Sequence, residues 1–299
     1  MATGRTLPRF LLVESRASVA ASQHQRGHRH SPVRPPTSHT RDSYLRPDPL
    51  PEVFPGQPKI VFTDVDETLT WQGRLPEETF SALAKLQRAG IRVVPVTGAS
   101  AGWCDCMIRT WPIDSIIGEN GSFYIDRNPG GSLSYTYALE ESVRTANRLR
   151  LHRLKDEVLA KFPFAYQTAD QPFRTTDIAF DINQDRTIDR EDAFTIAQYC
   201  RAAGMVAKIS SIHINVWCGD YNKASTSGLW MQAQGFDIED AIFSGDSPND
   251  DAMFSSFRQT VGVANVLPYI AELDSPPMYV TAQPGGYGFA ELAAALLNE

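Results

Sequence analysis

The chain has 299 residues, of which 42% are hydrophobic, and a formal net charge of -7 at pH 7. Its length predicts about two domains of ~150 residues, and the acidic balance argues against a nucleic-acid binder, whose affinity depends on basic side chains that neutralise phosphates. No apolar stretch approaches the ~20 residues that span a bilayer. We therefore predict a cytoplasmic protein that binds neither nucleic acid nor membrane.

Residues 1–57 differ in composition from the rest of the chain. They are rich in Arg, Ser and Pro, and Glu14 is their only acidic residue before Asp42. Such a segment has little material for a core and is predicted to be disordered. The composition also resembles an organelle transit peptide, although its helical amphipathicity is weak. Organelle targeting is therefore the alternative to a cytoplasmic location.

From residue 58 onward, short apolar runs alternate with helical periodicity. This alternation predicts an α/β fold with a three-layer, Rossmann-like core, in which helices cover both faces of a parallel sheet. The predicted core elements are strand 59–64, helix 76–90, strands 91–96 and 113–117, a helix from Lys223, strand 241–244, helix 249–257, strands 260–263 and 279–282, and a helix from Phe289.

The alternation lapses between residues 123 and 217. The elements predicted there are strands 123–125 and 133–138, helix 141–161, strand 176–182, helix 189–203 and strands 205–210 and 213–218. This order is typical of a separate α+β unit. We therefore predict a core made of residues 58–122 and 218–299, with an α+β cap domain, residues 123–217, inserted into it.

Two carboxylates, Asp64 and Asp66, follow the first predicted core strand. Ligands of open parallel sheets bind beyond the carboxyl ends of the strands, and a carboxylate pair there needs a cation or a proton. The spacing also fits the start of a calcium loop, but that loop requires Gly at its sixth position and Glu at its twelfth, where this chain has Leu69 and Leu75. Two interpretations stay open on this motif alone, a metal-assisted nucleophile and a solvated strand end.

A second acidic motif, Gly245-Asp246-Ser247-Pro248-Asn249-Asp250-Asp251, follows the predicted strand 241–244. Because it leaves the sheet at the same edge as Asp64, the two motifs together predict a cation site. Mg²⁺ prefers carboxylate oxygens and commonly bridges to a phosphate. The alternative for this motif is a Gly-Asp turn before a helix capped by Asp246 or Ser247.

Two further motifs are suited to an anion. Thr97 and Gly98 end the second core strand, where a hydroxyl and free backbone N–H groups can bind a phosphate before a helix begins. Lys223 opens the helix that resumes the core, and a lysine at that position opposes the helix dipole, which indicates an anionic partner. Alone, each is a weak signal, because Thr-Gly pairs are common in turns and lysines are commonly solvated.

The order of these motifs, D-x-D-x-T, then Thr, then Lys, then G-D-x-x-N-D, resembles the haloacid dehalogenase superfamily of phosphohydrolases. The insertion between Thr97 and Lys223, together with Asn120-Gly121 and the run 285–289, resembles its type IIB branch, which includes Cof-like and sucrose-phosphatase-like enzymes. The resemblance covers residues 58–299 and implies a cap of type C2.

The resemblance implies chemical roles for the two first carboxylates. Asp64 would attack phosphorus and become an aspartyl phosphate. Asp66 would protonate the leaving oxygen and then deprotonate the water that hydrolyses the intermediate. The presence of Asp66 also argues against a dehalogenase or a P-type ATPase, because relatives with those activities lack this carboxylate.

The remaining motifs would bind the phosphoryl group and Mg²⁺, the implied cofactor. The implied phosphate-binding residues are Thr97, Gly98 and Lys223. The implied metal ligands are Asp64, the carbonyl of Asp66, and Asp246, with Asn249 and Asp250 positioning metal-bound water or Lys223. One departure is Ala99, where type IIB members often carry Arg, so substrate identity cannot be transferred from any one relative.

The predicted cap strand 213–218 has one polar face. Period-two alternation places Ile212, Ile214 and Val216 on the opposite, apolar face. In the resembled family the cap sheet covers the active site, and a polar face with an aromatic surface suits a polyol or sugar. The candidate substrate contacts are His213 and Asn215, with Lys208, Arg174 and Asn120 as weaker candidates. The alternative is a polar face open to solvent.

Together these features predict a Mg²⁺-dependent phosphomonoester hydrolase acting on a small phosphorylated metabolite, with a sugar phosphate as the first candidate. The alternatives are a phosphoglucomutase-like transferase, which would use the same two aspartates, and a non-catalytic regulator that binds metal and ligand on the same fold. The sequence makes no prediction of oligomeric state.

Overall fold

The computed structural model describes residues 46–299, so the predictions for residues 1–45 lie outside the described residues. The strands are β1 (Asp48–Pro49), β2 (Ile60–Thr63), β3 (Arg92–Pro95), β4 (Ser115–Gly118), β5 (Phe123–Arg127), β6 (Leu133–Tyr137), β7 (Asp177–Asp181), β8 (Val206–Ile209), β9 (His213–Trp217), β10 (Ala241–Gly245), β11 (Gln259–Gly262) and β12 (Tyr279–Val280). The α-helices are α1 (Glu77–Arg88), α2 (Ala101–Thr110), α3 (Glu141–Lys161), α4 (Arg190–Ala202), α5 (Lys223–Gln234), α6 (Asp251–Ser256) and α7 (Gly285–Leu297).

The core sheet has the strand order β1-β12-β11-β10-β2-β3, and all its strands are parallel. The order reverses at β2, because the chain continues to β3 on one side and returns as β10 on the other. In open α/β sheets, ligands bind at such a switch point, beyond the carboxyl ends of the strands. Residues that directly follow β2 and β10 are therefore delivered to one crevice.

Helices cover both faces of this sheet. Successive residues of β2 point to opposite faces: Val61 packs with Leu83 of α1 and Phe289 of α7, whereas Phe62 packs with Trp230 of α5. All five side chains are fully buried. The predicted three-layer α/β core is confirmed.

The strands β4, β5 and β6 form an antiparallel sheet that extends the core. β4 meets the end of β3 through a parallel bridge between Val96 and Ile117, and Phe123 and Ile125 of β5 are buried in the cluster on one face of the core sheet. The predicted start of the cap at residue 123 is therefore wrong, and the insertion begins after Tyr137. Strand periodicity shows which face of a hairpin is buried but not which sheet it joins.

The cap sheet has the antiparallel order β7-β9-β8. Helices α3 and α4 pack on its apolar face around Phe180, Ile196 and Ile214. The opposite face, which carries His213 and Asn215, is turned toward the crevice of the core sheet.

Residues 46–57 belong to the core, although disorder is predicted up to residue 57. β1 pairs in parallel with β12. Phe54 is buried, its ring centroid lies 5.7 Å from that of Tyr279, and its N–H donates to the Ala295 carbonyl at 3.1 Å. A single apolar anchor is difficult to recognise in a segment rich in Pro and polar residues.

Two core helices differ from their predicted bounds. The predicted helix 249–257 is divided into a 3₁₀ turn, Pro248–Asp250, and α6. α7 begins at Gly285, before the predicted Phe289, and a Cβ on Gly286 would lie 2.0 Å from Thr79 Oγ1. The absence of a side chain at Gly286 therefore allows α7 to approach α1 closely. No helix within residues 46–299 is both long and apolar enough to cross a membrane.

Candidate active site

Asp64 and Asp66 lie just beyond the carboxyl end of β2. The Asp64 N–H donates to the Ser244 carbonyl at 2.9 Å, which extends the pairing with β10 by one residue. The Asp64 side chain is buried and that of Asp66 is half-buried, and both line one cleft between the core and the cap sheet. The structure thus brings the two predicted carboxylates together.

Lys223, in the first turn of α5, reaches the same cleft from the other end of the insertion. Its Nζ donates to Asp64 Oδ1 at 2.7 Å and to Asp250 Oδ1 at 2.8 Å. The start of α5 is fixed by Asn222, whose side chain accepts the Ser225 N–H at 2.9 Å. All three charged groups are buried, so the ammonium is held against two carboxylates with little solvent screening.

Asp246 is fixed by two donors that follow β2 and β11. Thr68 Oγ1 donates to its Oδ1 at 3.2 Å, and Asn265 Nδ2 donates to its Oδ2 at 3.1 Å. The Asp246 N–H in turn donates to Asp250 Oδ2 at 3.1 Å. Asn249 accepts a hydrogen bond from Ser247 Oγ at 2.9 Å and lines the cleft.

The carboxylates of Asp64, Asp246 and Asp250 each place an oxygen within 4.8 Å of the other two. A set of buried carboxylate oxygens is the donor type that Mg²⁺ prefers. The residues present therefore fit this ion. The sequence predicts that Asp250 positions metal-bound water or Lys223, and in the structure its oxygens accept from Lys223 Nζ and from the Asp246 N–H.

Burial dominates the electrostatics of this cluster. Burial, with the nearby Asp250, raises the pKa of Asp64 to about 7, and burial also raises the pKa of Asp66 and Asp246. For Lys223, burial works against the charge, but Asp250 and Asp64 together raise its pKa. A divalent cation favours the charged form of neighbouring carboxylates and so opposes the effect of burial.

The Thr97-Gly98 loop follows β3 at the same edge of the sheet. Thr97 is fully buried, and its Oγ1 accepts the Ala99 N–H at 3.0 Å. A Cβ on Gly98 would lie 3.1 Å from side-chain atoms of both Asn120 and Asn215. The absence of a side chain at residue 98 therefore lets the cap sheet approach the loop closely.

The cap contributes polar side chains to the cleft. They are Lys208, Ser210, Ser211, His213 and Asn215. His213 Nε2 lies 2.6 Å from Gln184 Oε1, and burial lowers the pKa of His213 to about 4, so the ring is neutral near pH 7. The free volume of the cleft is about 20 Å³, which is close to the space of one water molecule. The cap is thus closed on the core.

Asn120 lies on the core side of the cleft in an unusual conformation. Asn120 has a φ of 57°, and the preceding Glu119 has a φ of 42°. Left-handed backbone is costly for residues other than glycine. Its Nδ2 is buried without a hydrogen-bond partner among residues 46–299. Backbone strain and unpaired polar atoms are typical of functional sites.

Arg174 does not line the cleft. Its fully buried guanidinium is paired with Asp170 and Asp177 and donates from Nη1 to the Gly98 carbonyl at 3.0 Å. Nearby, Glu119 accepts backbone N–H groups from Ala101 of the core and from residues 175 and 176 of the cap.

Sequence reasoning did not assign roles to Glu119, Thr68 or Asn265. Two of these residues lie in motifs that the sequence shows, because Thr68 completes D-x-D-x-T and Glu119 precedes Asn120-Gly121. Asn265 lies in a 3₁₀ segment after β11 and carries no comparable sequence signal. Its contacts with Asp246 and with the Glu67 carbonyl depend on the packing of loops distant in sequence.

The sequence is similar to that of known hydrolases. A family model described as haloacid dehalogenase-like hydrolase matches residues 61–146. The chain is 24% identical over 235 residues to a phosphoglycolate phosphatase of Methanothermobacter thermautotrophicus, covering 78% of this chain and 96% of the relative. It is 27% identical over 245 residues to a phosphoglycolate phosphatase of Methanosarcina mazei, covering 78% and 94%.

Solved structures show the same fold at lower identity. A Thermoplasma acidophilum protein superposes with a TM-score of 0.66 at 18% identity, over 82% of this chain and all (100%) of that chain. The sucrose-phosphatase of Synechocystis, solved with sucrose and phosphate, superposes with a TM-score of 0.58 at 14% identity, over 81% of this chain and 98% of that one. In its motifs, its fold and its matching segment, the chain is therefore similar to haloacid dehalogenase-like hydrolases, with the insertion placed as in the type IIB branch.

Proposed function

We propose that this protein, a phosphomonoesterase of the superfamily, hydrolyses a small phosphorylated metabolite through an aspartyl phosphate on Asp64, with Mg²⁺ as cofactor. The observation that carries the proposal is the buried contact of Asp64 with Lys223 beside Asp246 and Asp250. Asp64 and Lys223, which are 159 positions apart in the chain, meet here at the switch point of the sheet.

In the first step, an Asp64 oxygen forms a bond to phosphorus while the bond from phosphorus to the leaving oxygen breaks. Asp66 gives its proton to that oxygen, and burial favours the required protonated form because it raises the pKa of Asp66. In the second step, Asp66 accepts a proton from water, the water oxygen attacks phosphorus, and inorganic phosphate leaves Asp64.

Thr97, the Gly98 loop and Lys223 would bind the phosphoryl oxygens, and Lys223 orients Asp64. Asp64, the carbonyl of Asp66 and Asp246 would hold Mg²⁺, which would supply positive charge that offsets repulsion between an anionic nucleophile and an anionic substrate. Asn249 and Asp250 would position metal-bound water or Lys223. Each of these assignments follows the family resemblance and is supported by the proximity of the residues in the structure.

The central test is replacement of Asp64 by Asn, with Asp156→Asn on the exposed part of α3 as the matched control. We expect Asp64→Asn to lower kcat for p-nitrophenyl phosphate with Mg²⁺ by at least about a thousandfold, and the control to keep full activity. Wild-type turnover by Asp64→Asn would exclude the mechanism. No turnover by the wild-type protein on any phosphate ester would favour the regulator, and isomerised sugar phosphate as product would favour the mutase.

The substrate class is open between a sugar phosphate and a phosphorylated small acid. The polar cap face supports the first class. Lys208 supports the second, because this cleft residue has no carboxylate partner within residues 46–299 and could neutralise a substrate carboxylate. The names of the curated relatives point to the same second class.

Replacing Lys208 by Met separates these two classes. If a carboxylate is bound, KM for 2-phosphoglycolate should rise roughly tenfold or more, as expected for loss of a charge-assisted contact, while KM for p-nitrophenyl phosphate stays unchanged. Equal changes for charged and neutral leaving groups would contradict this role for Lys208.

A further inference from the structure

The Gly98 carbonyl is held by two side chains from the cap. Arg174 Nη1 donates to it at 3.0 Å, and Asn215 Nδ2 donates to it at 3.3 Å. The acceptor belongs to the predicted phosphate-binding loop of the core. These contacts therefore join the cap to the loop.

Both donors are themselves fixed. Arg174 is fully buried and donates to the two Asp170 oxygens from Nε and Nη2, each at 3.1 Å. Asp177 accepts from Arg174 Nη1 at 3.0 Å and from Asn215 Nδ2 at 3.3 Å. A buried ion pair of this kind requires nearly complete hydrogen bonding, so Arg174 has little freedom to move independently of the cap.

The other side of the same peptide group faces Thr97. In a trans peptide the carbonyl and the following N–H point in opposite directions. While the cap holds the Gly98 carbonyl, the Ala99 N–H donates to Thr97 Oγ1 at 3.0 Å. Because the hydroxyl oxygen accepts this bond, its hydrogen is directed elsewhere, and within residues 46–299 it has no protein acceptor.

Cap closure and loop orientation are linked. The closed cleft leaves a free volume of about 20 Å³, less than a phosphorylated metabolite needs. Substrate entry therefore requires the cap sheet to move away from Gly98, which breaks both hydrogen bonds to its carbonyl. Closure over a bound substrate restores them.

We propose that Arg174 is a positioning residue that, with Asn215, fixes the Gly98–Ala99 peptide when the cap closes and thereby directs the Thr97 hydroxyl toward the transferring phosphoryl group. This inference rests on the proposed function, because it assumes that Thr97 binds the phosphoryl oxygens. It assigns Arg174, predicted as a weak candidate for a substrate contact, an indirect role in catalysis.

A double-mutant cycle between residues 174 and 97 tests this coupling. Arg174→Lys keeps a charge beside Asp170 and Asp177 but loses the planar fork. We expect it to lower kcat by roughly 10- to 100-fold, and to raise Ki for orthovanadate, a transition-state analogue, by the same factor. In a Thr97→Val background, where no hydroxyl remains to be directed, the same replacement should change kcat less than about twofold.

Asp181→Asn is the matched control, because Asp181 is another buried cap carboxylate, but its partners are the N–H groups of residues 184–186. It should leave kcat and the orthovanadate Ki unchanged. Should Arg174→Lys fail to fold, Asn215→Ala, which removes the second donor to Gly98, enters the same cycle with the same expected non-additivity.

The outcomes separate the inference from the proposed function. Additive effects of the residue 174 and residue 97 variants, with Thr97→Val itself strongly impaired, would overturn the inference alone. Wild-type kcat in Thr97→Val would overturn both the inference and the phosphate-binding role of Thr97. An equal loss of kcat in Asp181→Asn would also overturn the inference, because any damage to the cap would then have the same effect.

Discussion

Asn120 combines two costs that a structure tolerates only where something offsets them. Its backbone is left-handed, and its Nδ2 is buried without a protein partner among the described residues. A substrate oxygen in the cleft would supply the missing acceptor. The Asn120 backbone N–H donates to the Thr97 carbonyl at 3.0 Å, which keeps the Asn120 side chain next to the proposed phosphate-binding loop.

We expect Asn120→Ala to lower kcat/KM by roughly 10- to 100-fold, because a donor to the substrate is lost, which corresponds to ~1–3 kcal/mol. Asn298→Ala is the control, because Asn298 has a similar φ of 56° at the end of α7 and is not among the residues that line the cleft. Both variants carry the same backbone cost, so equal kinetic losses would contradict a substrate contact for Asn120.

His213 predicts a dependence of stability on pH. Its pKa is lowered from 6.5 to about 4, first by burial and then by Arg174. The neutral ring is therefore favoured in the folded state, and its contribution to stability is complete above pH 6.5 and is lost as the pH falls through 4.

We expect His213→Gln to lose less unfolding free energy than the wild-type protein between pH 6.5 and pH 4. Urea unfolding of both proteins at the two limits measures this difference, and the wild-type protein controls for every other titrating group. An identical pH dependence in the two proteins would show that the ring is equally easy to protonate folded and unfolded.

At the scale of elements, the segment before β2 acts as an edge of the core. β1 covers one side of β12, and Phe54 inserts between β12 and α7. A buried aromatic contributes largely through apolar area removed from water. The prediction of disorder is therefore wrong for residues 46–57, because tertiary contacts rather than local propensity order this segment.

We expect Phe54→Ala to lower the free energy of unfolding by ~3–5 kcal/mol, as for other buried aromatics. The neighbouring Val53→Ala is the control, because Val53 is 61% exposed and should change stability by less than ~0.5 kcal/mol. Denaturant unfolding measures both, and similar small effects would mean that the segment adds little to the core.

At the scale of the whole molecule, the active site concentrates negative charge in an acidic protein. Burial and Asp250 raise the pKa of Asp64 to about 7, so this proposed nucleophile is partly protonated at neutral pH unless a cation is bound. Only the deprotonated carboxylate can attack phosphorus. The acid side of the pH profile should therefore depend on the metal.

We expect kcat/KM at limiting Mg²⁺ to fall as the pH drops through about 7, and saturating Mg²⁺ to move this fall to lower pH, because the cation favours the carboxylate. Removal of Mg²⁺ by a chelator should abolish activity and its return should restore it. A profile that does not move with Mg²⁺ would argue against a cation next to Asp64.

The sequence by itself determined the α/β class, the order of the motifs and the resemblance to haloacid dehalogenase-like hydrolases. These properties depend on local features, namely strand periodicity, the apolar run before Asp64 and the glycines after strands. Such features reflect side-chain size and polarity, and they can be recognised without knowing which segments pack against each other. The proximity of Asp64, Lys223 and Asp246 also followed, because parallel strands place their carboxyl ends at one edge of the sheet.

Only the tertiary structure decided which sheet the 123–137 hairpin joins, that Phe54 anchors residues 46–57, and that Arg174 lies behind the cleft rather than in it. In each case the local pattern fits several partners equally well. The choice among these partners depends on burial and hydrogen bonding between segments distant in sequence. Arg174, for example, is held by the cap carboxylates Asp170 and Asp177 and by the core carbonyl of Gly98, which lies 76 residues away along the chain.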